Sequence, residues 1–279
     1  MSESPVKLER QDATAVITLD SPATRNAFSA AMKDALERAV NEVVADGSVR
    51  AVVLTGSGGQ FCAGGDVRSM ASAQRTPAEW RARMQETHRW LRELIALDKP
   101  LIAAVDGAAY GAGFSMALAA DFVLATPRAR FCMSFMKLGL VPDAGATYTL
   151  PRVVGAQRAR ELMLSAREVR APEALSLGIA MELHEPDRLL ARALELAASF
   201  AGASALAVSL LKRNTLDAGA LDAALDAEAN AQALAFLSPE YREAARRFIE
   251  KEPSAFQWPS PHPSPLPQAG EGARQGETK

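Results

Sequence analysis

Cysteines and long apolar runs are scarce in this chain, and their scarcity excludes two classes of protein. Two cysteines, Cys62 and Cys132, stand far apart among 279 residues and form no Cys-x-x-Cys pair. We therefore expect no disulfide framework, and such thiols suit a reducing cytoplasm. The most apolar stretch, 106–121, is broken by glycine and is shorter than the roughly 20 residues of a membrane span. Residues 1–5 lack the basic and apolar regions of a signal peptide, so we predict a cytoplasmic protein without a membrane partner.

The chain also has little net charge and few histidines. The formal net charge is −2, so no basic field predicts a nucleic-acid partner. The three histidines, His88, His184 and His262, form no His-x-x-x-His pair, and we predict no metal site. His88 has charged neighbours and is expected on a helix surface, whereas His184, near Pro186, is expected in a loop.

Short apolar runs alternate with amphipathic segments up to about residue 200, which is typical of an α/β fold. The runs 6–9 and 13–19 predict a hairpin, and the runs 51–54, 101–105 and 122–125 predict buried strands. Ser29 is a candidate cap for a helix that Gly47 would end. Thr76 followed by Pro77 predicts the start of a second long helix.

The composition changes near residue 200 and again after Trp258. Residues 1–200 are predicted to form the α/β core, and residues 201–258 a helical module rich in alanine and leucine. Between 259 and 267 every second residue is proline, which removes backbone donors and forbids a helix. We therefore predict a disordered tail over 259–279.

Two glycine-rich segments each follow a short apolar run. The first contains FCAGGD at 61–66, and the second contains GAGFS at 111–115. Residues 56–61 read GSGGQF, so Phe61 occupies the place of the last glycine of a dinucleotide fingerprint, and no Gly-Lys-Ser/Thr of a P-loop follows. Two interpretations stay open, a tight turn or a loop whose backbone lines a pocket. Two such loops could aim two backbone N–H groups at one developing oxyanion.

Together with KLGLVPDAG at 137–145, these segments resemble the crotonase family, the enoyl-CoA hydratases and isomerases. The resemblance implies a ClpP/crotonase-like spiral core of repeated ββα units with a C-terminal helical oligomerisation module. It also implies a homotrimer or a dimer of trimers. The implied substrate is an acyl-CoA thioester, with coenzyme A as part of the substrate and no separate cofactor. By this resemblance, the two oxyanion-hole donors are the backbone N–H groups of Gly65 and Ala112.

The acid–base group is expected to be Asp143. The positions that match the two glutamates of the family's hydratases hold Ser115 and Phe135, and neither is a carboxylate. Pro-Asp-x-Gly is a common turn in which Asp bonds its own backbone, and spacing alone favours that interpretation. The resemblance points instead to the isomerase branch, including the ring-opening isomerases of phenylacetate breakdown, where an aspartate at this position moves the proton.

Three other functions stay open beside an acyl-CoA isomerase. They are an enoyl-CoA hydratase, a non-catalytic acyl-CoA-binding protein, and a serine thioesterase that would use Ser115. The resemblance also implies substrate contacts. The expected substrate- and CoA-binding residues are Arg25, Ala63, Gly65, Asp66, Val67, Arg68, Phe114, Ser115, Phe135 and Lys251. Lys251 is followed by Glu252, where the family often has a basic residue.

Overall fold

The computed structural model describes residues 4–259, which form two β-sheets surrounded by helices. The strands are β1 (Val6–Gln11), β2 (Thr14–Leu19), β3 (Ala51–Gly56), β4 (Leu101–Val105), β5 (Ala108–Tyr110), β6 (Phe122–Ala125), β7 (Arg130–Cys132), β8 (Val169–Arg170) and β9 (Glu182–Leu183). The larger sheet has the order β1-β2-β3-β4-β6-β9, and the smaller has the order β5-β7-β8. The predicted hairpin is confirmed as the antiparallel β1–β2 pair, and β2, β3, β4, β6 and β9 pair in parallel. The α/β prediction is confirmed.

The helices cover both faces of the larger sheet and continue to the C-terminal region. They are α1 (Ala30–Ala45), α2 (Val67–Ser72), α3 (Pro77–Ile95), α4 (Ala112–Ala117), α5 (Ala146–Val154), α6 (Ala156–Ser165), α7 (Ala171–Ser176), α8 (Pro186–Ser199), α9 (Ala205–Thr215), α10 (Ala218–Ala235) and α11 (Pro239–Glu250). Short 3-10 helices lie at Pro22–Thr24, Ser134–Leu138 and Phe200–Gly202. The predicted helical character of 201–258 is confirmed by α9, α10 and α11.

Local capping chemistry sets the starts of the two long helices near the N-terminus. The Ser29 hydroxyl accepts a hydrogen bond from the Met32 N–H, as the sequence predicts. Thr76 and Glu79 form a reciprocal capping box, and Pro77 occupies the first turn. Helix α1 ends at Ala45 with Asp46 as its C-cap, so Gly47 is the first residue beyond the cap, where the sequence predicts that the helix stops.

The C-terminal helices pack on the core rather than forming a separate body. Helix α10 lies along α3, and its buried face includes Leu221, Leu225 and Ala229. Helix α9 has no buried residue in this single chain and exposes Leu206 and Leu211. The trimer stays a prediction. The predicted disordered tail lies outside the described residues except for Pro259.

No single helix among residues 4–259 is long and apolar enough to cross a membrane. One bent pair, Pro186–Gly202 with Ala205–Thr215, meets the length and composition criteria together, with an angle of 111° between its two parts.

The two glycine-rich segments are held together by close backbone contact. Cys62 and Ala109 form an isolated parallel bridge, in which Cys62 N–H donates to the Ala108 carbonyl and Tyr110 N–H donates to the Cys62 carbonyl. A Cβ atom placed on Gly113 would lie 2.5 Å from the Cys62 carbonyl oxygen. Only glycine lets the first turn of α4 approach the first loop so closely.

We expect Gly113→Ala to destabilise the protein, because its methyl group would push these two segments apart. The loss of unfolding free energy should be about 1–3 kcal/mol, as for other overpacked sites. Chemical denaturation measures it. Gly219→Ala is the matched control, because its Cβ would meet no atom closer than 3.7 Å within the first turns of α10. Equal stability of the two variants would contradict the steric argument.

Candidate active site

A narrow cavity lies where the two glycine-rich segments meet α1, α3 and α10. Its wall includes Gly65, Ala112 and Asp143, the three residues predicted to be catalytic. Apolar side chains, among them Phe28, Phe135 and Phe236, form most of the remaining wall. A concave apolar site with few polar groups is typical of a small-molecule binding site.

The first glycine-rich segment presents a free backbone amide to this cavity. Gly64 has φ +92°, and its carbonyl accepts the Phe28 N–H at 2.7 Å, which fixes the segment against the chain before α1. A Cβ on Gly64 would lie 2.7 Å from the Tyr110 carbonyl oxygen, so a side chain is excluded there. The next residue is Gly65, and within residues 4–259 its N–H has no hydrogen-bond acceptor.

The second segment presents another free amide. Gly111 has φ +50° and is the N-cap of α4, so Ala112 is the first residue of that helix. The first N–H groups of a helix have no intrahelical acceptor. The Ala112 N–H also has no other acceptor in the described part of the chain. Gly65 and Ala112 both line this cavity, so the two amides without acceptors belong to one site.

Asp143 is a buried carboxyl on the wall of the same cavity, and 9% of the residue is exposed. Its Oδ2 accepts a hydrogen bond of 2.7 Å from Gln232 Nε2. Burial raises the pKa of Asp143 to about 6, against the opposing effects of the Gln232 hydrogen bond and the Lys33 charge. The chain does turn here, with Ala144 at φ +59°, but the carboxyl bonds Gln232 rather than its own backbone.

Helix α10 supplies two buried polar side chains that were not predicted from the sequence. Besides binding Asp143, Gln232 accepts the Val141 N–H at 3.3 Å through its Oε1. One helical turn earlier, Glu228 accepts the N–H groups of Gly145 at 2.8 Å and Thr147 at 2.9 Å. Burial raises the pKa of Glu228 to about 7, although these hydrogen bonds oppose the shift.

These two side chains hold both ends of the loop that carries Asp143. The sequence does contain a pattern that indicates these two residues. Glu228 and Gln232, four positions apart, interrupt an alanine-rich apolar face of the helix. Their partners lie more than 80 residues earlier in the chain, which no local pattern shows. The predicted division into a 1–200 core and a 201–258 module therefore does not separate the site, because α10 forms part of it.

Two residues predicted to contact substrate lie in the core instead. Phe114 is fully buried against Phe131, with ring centroids 5.2 Å apart, and it is absent from the cavity wall. The Ser115 hydroxyl is also buried and donates to the Asp143 carbonyl at 2.8 Å. Both side chains point away from the cavity because α4 directs them into the interior. Phe135, by contrast, lines the cavity.

The residues predicted to contact coenzyme A lie in and around the first glycine-rich segment and at the end of α11. Asp66 lines the cavity and caps α2 by accepting the Ser69 N–H at 3.1 Å. Val67 is buried, and the Arg25 carbonyl accepts the Ala63 N–H. The exposed Arg68 side chain donates to the Ile249 carbonyl at 3.3 Å, which brings it near the end of α11 and Lys251. Arg25 and Lys251 are exposed, and neither lines the cavity.

The structure corrects the prediction for His88. It is not on the surface: 5% of the residue is exposed, and it lines the cavity from α3. Burial lowers the pKa of His88 to about 4, and repulsion from Lys33 acts in the same direction. The charged neighbours in the sequence lie on the other faces of the helix.

His184 is half-buried, with its Nε2 2.6 Å from a Glu182 oxygen. In residues 4–259, no group of three or more His, Cys, Asp or Glu side chains could hold a metal ion.

The family whose sequence model matches this chain is described as enoyl-CoA hydratase/isomerase, and the match covers residues 9–259. A 1,2-epoxyphenylacetyl-CoA isomerase of Escherichia coli is 36% identical, over 86% of this chain and 93% of that protein. A probable enoyl-CoA hydratase of Rhodobacter capsulatus is 40% identical, over 92% of this chain and 99% of the relative.

Solved structures show the same similarity. An enoyl-CoA hydratase/isomerase of Pseudoalteromonas atlantica matches with a TM-score of 0.81 and 30% identity, over 90% of this chain and 99% of the other. One from Cupriavidus metallidurans matches with a TM-score of 0.71 and 38% identity, over 94% and 99% of the two chains.

We expect Gln232→Met to raise the pKa of Asp143, because methionine keeps the volume but cannot donate to the carboxylate. A hydrogen bond to a charged group contributes about 1.5–3 kcal/mol, so the rise should be about one pH unit or more. Carboxyl-carbon NMR titration measures it directly. Asn230→Ala, on the exposed side of the same helix, should leave the titration unchanged. An unshifted Asp143 in Gln232→Met would show that Gln232 does not tune this carboxyl.

Proposed function

The chain belongs to the enoyl-CoA hydratase/isomerase family and has the crotonase fold, and from that premise we propose that it is an acyl-CoA isomerase. The activity would move a double bond in an enoyl-CoA or a related ring-type acyl-CoA. The observation that carries the proposal is one buried carboxyl, that of Asp143, beside two free backbone amides in one cavity. The other acidic residue on the cavity wall is Asp66, whose carboxylate caps α2.

In the proposed mechanism the thioester carbonyl binds the N–H groups of Gly65 and Ala112. These donors stabilise the enolate that forms when a proton leaves the acyl chain, and each contributes about 3–4 kcal/mol to the transition state by analogy with other oxyanion holes. Asp143 takes the proton and returns it two carbons away. One base is sufficient, because the proton that leaves is the proton that returns.

The cavity wall disfavours addition of water. Hydration needs one group to activate water and a second to deliver a proton. The matching positions hold Phe135, which is an apolar wall, and Ser115, whose hydroxyl is committed to backbone carbonyls. Phe28, Leu138 and Phe236 extend the apolar lining, so a dienolate would be formed in a site with little water.

The outer part of the substrate would follow the seam between α2 and α11. Arg68 and Lys251 lie there on exposed surface, where guanidinium and ammonium groups can pair with the phosphates of coenzyme A. Arg25 is a third candidate for these phosphates. We infer that coenzyme A enters as part of the substrate, and that the enzyme works in the cytoplasm as a trimer or a dimer of trimers.

We expect Asp143→Asn to lower the isomerisation rate of a 3-enoyl-CoA about 100-fold or more, because the amide keeps the shape but cannot take a proton. Loss of the 3-enoyl-CoA and gain of the 2-enoyl-CoA, followed by chromatography, measure the rate. Asp12→Asn is the control, because this exposed residue at φ +52° adopts a conformation that asparagine tolerates.

A product screen with a panel of unsaturated acyl-CoAs separates the alternatives. Near wild-type isomerisation by Asp143→Asn would end the assignment of the base. Formation of 3-hydroxyacyl-CoA as the main product from a 2-enoyl-CoA would identify a hydratase. Binding of acyl-CoA with no turnover of any thioester would identify a non-catalytic binding protein.

We also expect kcat/KM to depend on acid pH. The base form of Asp143 is needed, and its pKa in the free protein is raised to about 6 by burial. The value of kcat/KM should therefore be level above that pH and fall about tenfold per unit well below it. A profile measured between pH 4.5 and 8, with far-UV circular dichroism to confirm folding, tests this. A rate that stays level down to about pH 4.5 would exclude a base with this pKa.

A further inference from the structure

A group of unpaired cations occupies the side of the cavity formed by α1 and α3. Lys33 of α1 and Arg83 of α3 both line the cavity, and both are half-buried. Arg75, just before α3, stacks on the cavity residue Trp80, with its guanidinium carbon 4.9 Å from the ring centroid. Two positive charges therefore line one side of a largely apolar space, and a third lies against the wall residue Trp80.

These cations differ from other half-buried basic residues of the chain. Arg167, for example, pairs with both Glu161 and Glu173. Among the described residues, no carboxylate oxygen lies within 4.0 Å of the charged nitrogens of Lys33 or Arg83. At longer range, Asp143 and Asp34 act on Lys33, and Glu86 and Asp34 act on Arg83. The Lys33 ammonium lies 5.1 Å from the centre of the Phe28 ring.

This arrangement costs free energy when the cavity is empty. Burial and repulsion from Arg83 and Arg75 lower the pKa of Lys33 to about 8, and burial and repulsion from Arg75 lower the pKa of Arg83. Partly desolvated cations without an anion are unfavourable, and binding an anion removes the penalty. A cavity that keeps such cations is therefore prepared for a negatively charged ligand group.

His88 adds a second, independent polar feature on the same side. It lies five residues after Arg83 on α3, and neither ring nitrogen makes a hydrogen bond of normal geometry. Its nearby acceptors are the Leu225 carbonyl and Glu228 Oε2, the latter 4.0 Å from Nε2. Buried polar groups are normally hydrogen-bonded, so an unpartnered imidazole on a cavity wall points to a polar ligand atom.

We propose that the cavity binds acyl-CoA substrates whose acyl group carries a second carboxylate, which pairs with Lys33 and Arg83. This inference rests on the proposed function for the thioester itself and adds the chemical class of its acyl group. The carboxylate is favoured over a coenzyme A phosphate because the cations share the cavity with Asp143, and the Lys33 charge acts directly on that carboxyl. Arg68 and Lys251 are separate cations at the α2–α11 seam.

Binding of saturated thioesters tests the proposal without turnover. Isothermal titration calorimetry would compare glutaryl-CoA with pentanoyl-CoA and pimeloyl-CoA with heptanoyl-CoA. We expect at least one dicarboxylic thioester to bind about tenfold or more tightly than its monocarboxylic match, as a charge-assisted ion pair would give. Lys33→Met and Arg83→Gln should each remove most of that preference and change binding of the monocarboxylic thioester less than about threefold. Arg213→Gln, an exposed cation on α9, is the control.

Equal binding of each pair by the wild type would overturn the proposal. Lys33→Met could also weaken binding of both members of a pair equally. If that loss of affinity disappears with pantetheine thioesters, which lack the nucleotide phosphates, the cations bind those phosphates and the proposal is overturned. The outcome is independent of the isomerase assignment. A preference for dicarboxylic thioesters without double-bond migration would leave this inference standing and refute the proposed reaction.

Discussion

Desolvation of one carboxyl is the constraint on which the site depends. Asp143 lies on a loop, and loops are usually exposed to solvent. The pKa of Asp143 is raised because the surrounding elements exclude water. A carboxyl that is buried without compensation would stay protonated and could not act as a base near neutral pH. Gln232 provides the compensation, since its single hydrogen bond favours the charged form. The basicity of Asp143 is therefore set by burial, which raises its pKa, against the Gln232 hydrogen bond and the Lys33 charge, which lower it.

Helix α10 is thus as much a part of the site as the glycine-rich segments. Glu228 and Gln232 bind backbone groups on both sides of Asp143, so a movement of the helix would move the carboxyl. The glycine-rich segments contribute backbone groups to the cavity. Close approach at Gly64 and Gly113 leaves no room for a Cβ, and it brings two amides without acceptors to one cavity. The position of Asp143 is therefore fixed by side-chain hydrogen bonds from α10, whereas the positions of the Gly65 and Ala112 amides are fixed by close backbone packing.

The cations on α1 and α3 give the same cavity a second electrostatic feature. Lys33 favours the charged form of Asp143, although burial outweighs it. A bound carboxylate would partly cancel the Lys33 charge and so favour a more basic Asp143, as would the exclusion of water by the ligand. In the proposed function, recognition of the acyl group and readiness of the base are therefore coupled through one lysine. Apolar rings such as Phe28 and Phe135 keep the dielectric low enough for that coupling to matter.

The sequence by itself determined the strands of the larger sheet except β9, the capped starts of α1 and α3, the helical C-terminal region and the family. Each of these follows from local periodicity, from capping residues or from contiguous motifs such as GAGFS. Only the tertiary structure decided that Asp143 faces a cavity, that Gln232 binds it across 89 positions of chain, that His88 is buried and that Phe114 is not on the cavity wall. The physical reason is that periodicity shows which face of an element is buried, but not which distant element covers it. Burial by that distant partner then decides the pKa of a carboxyl and whether an imidazole finds a hydrogen bond.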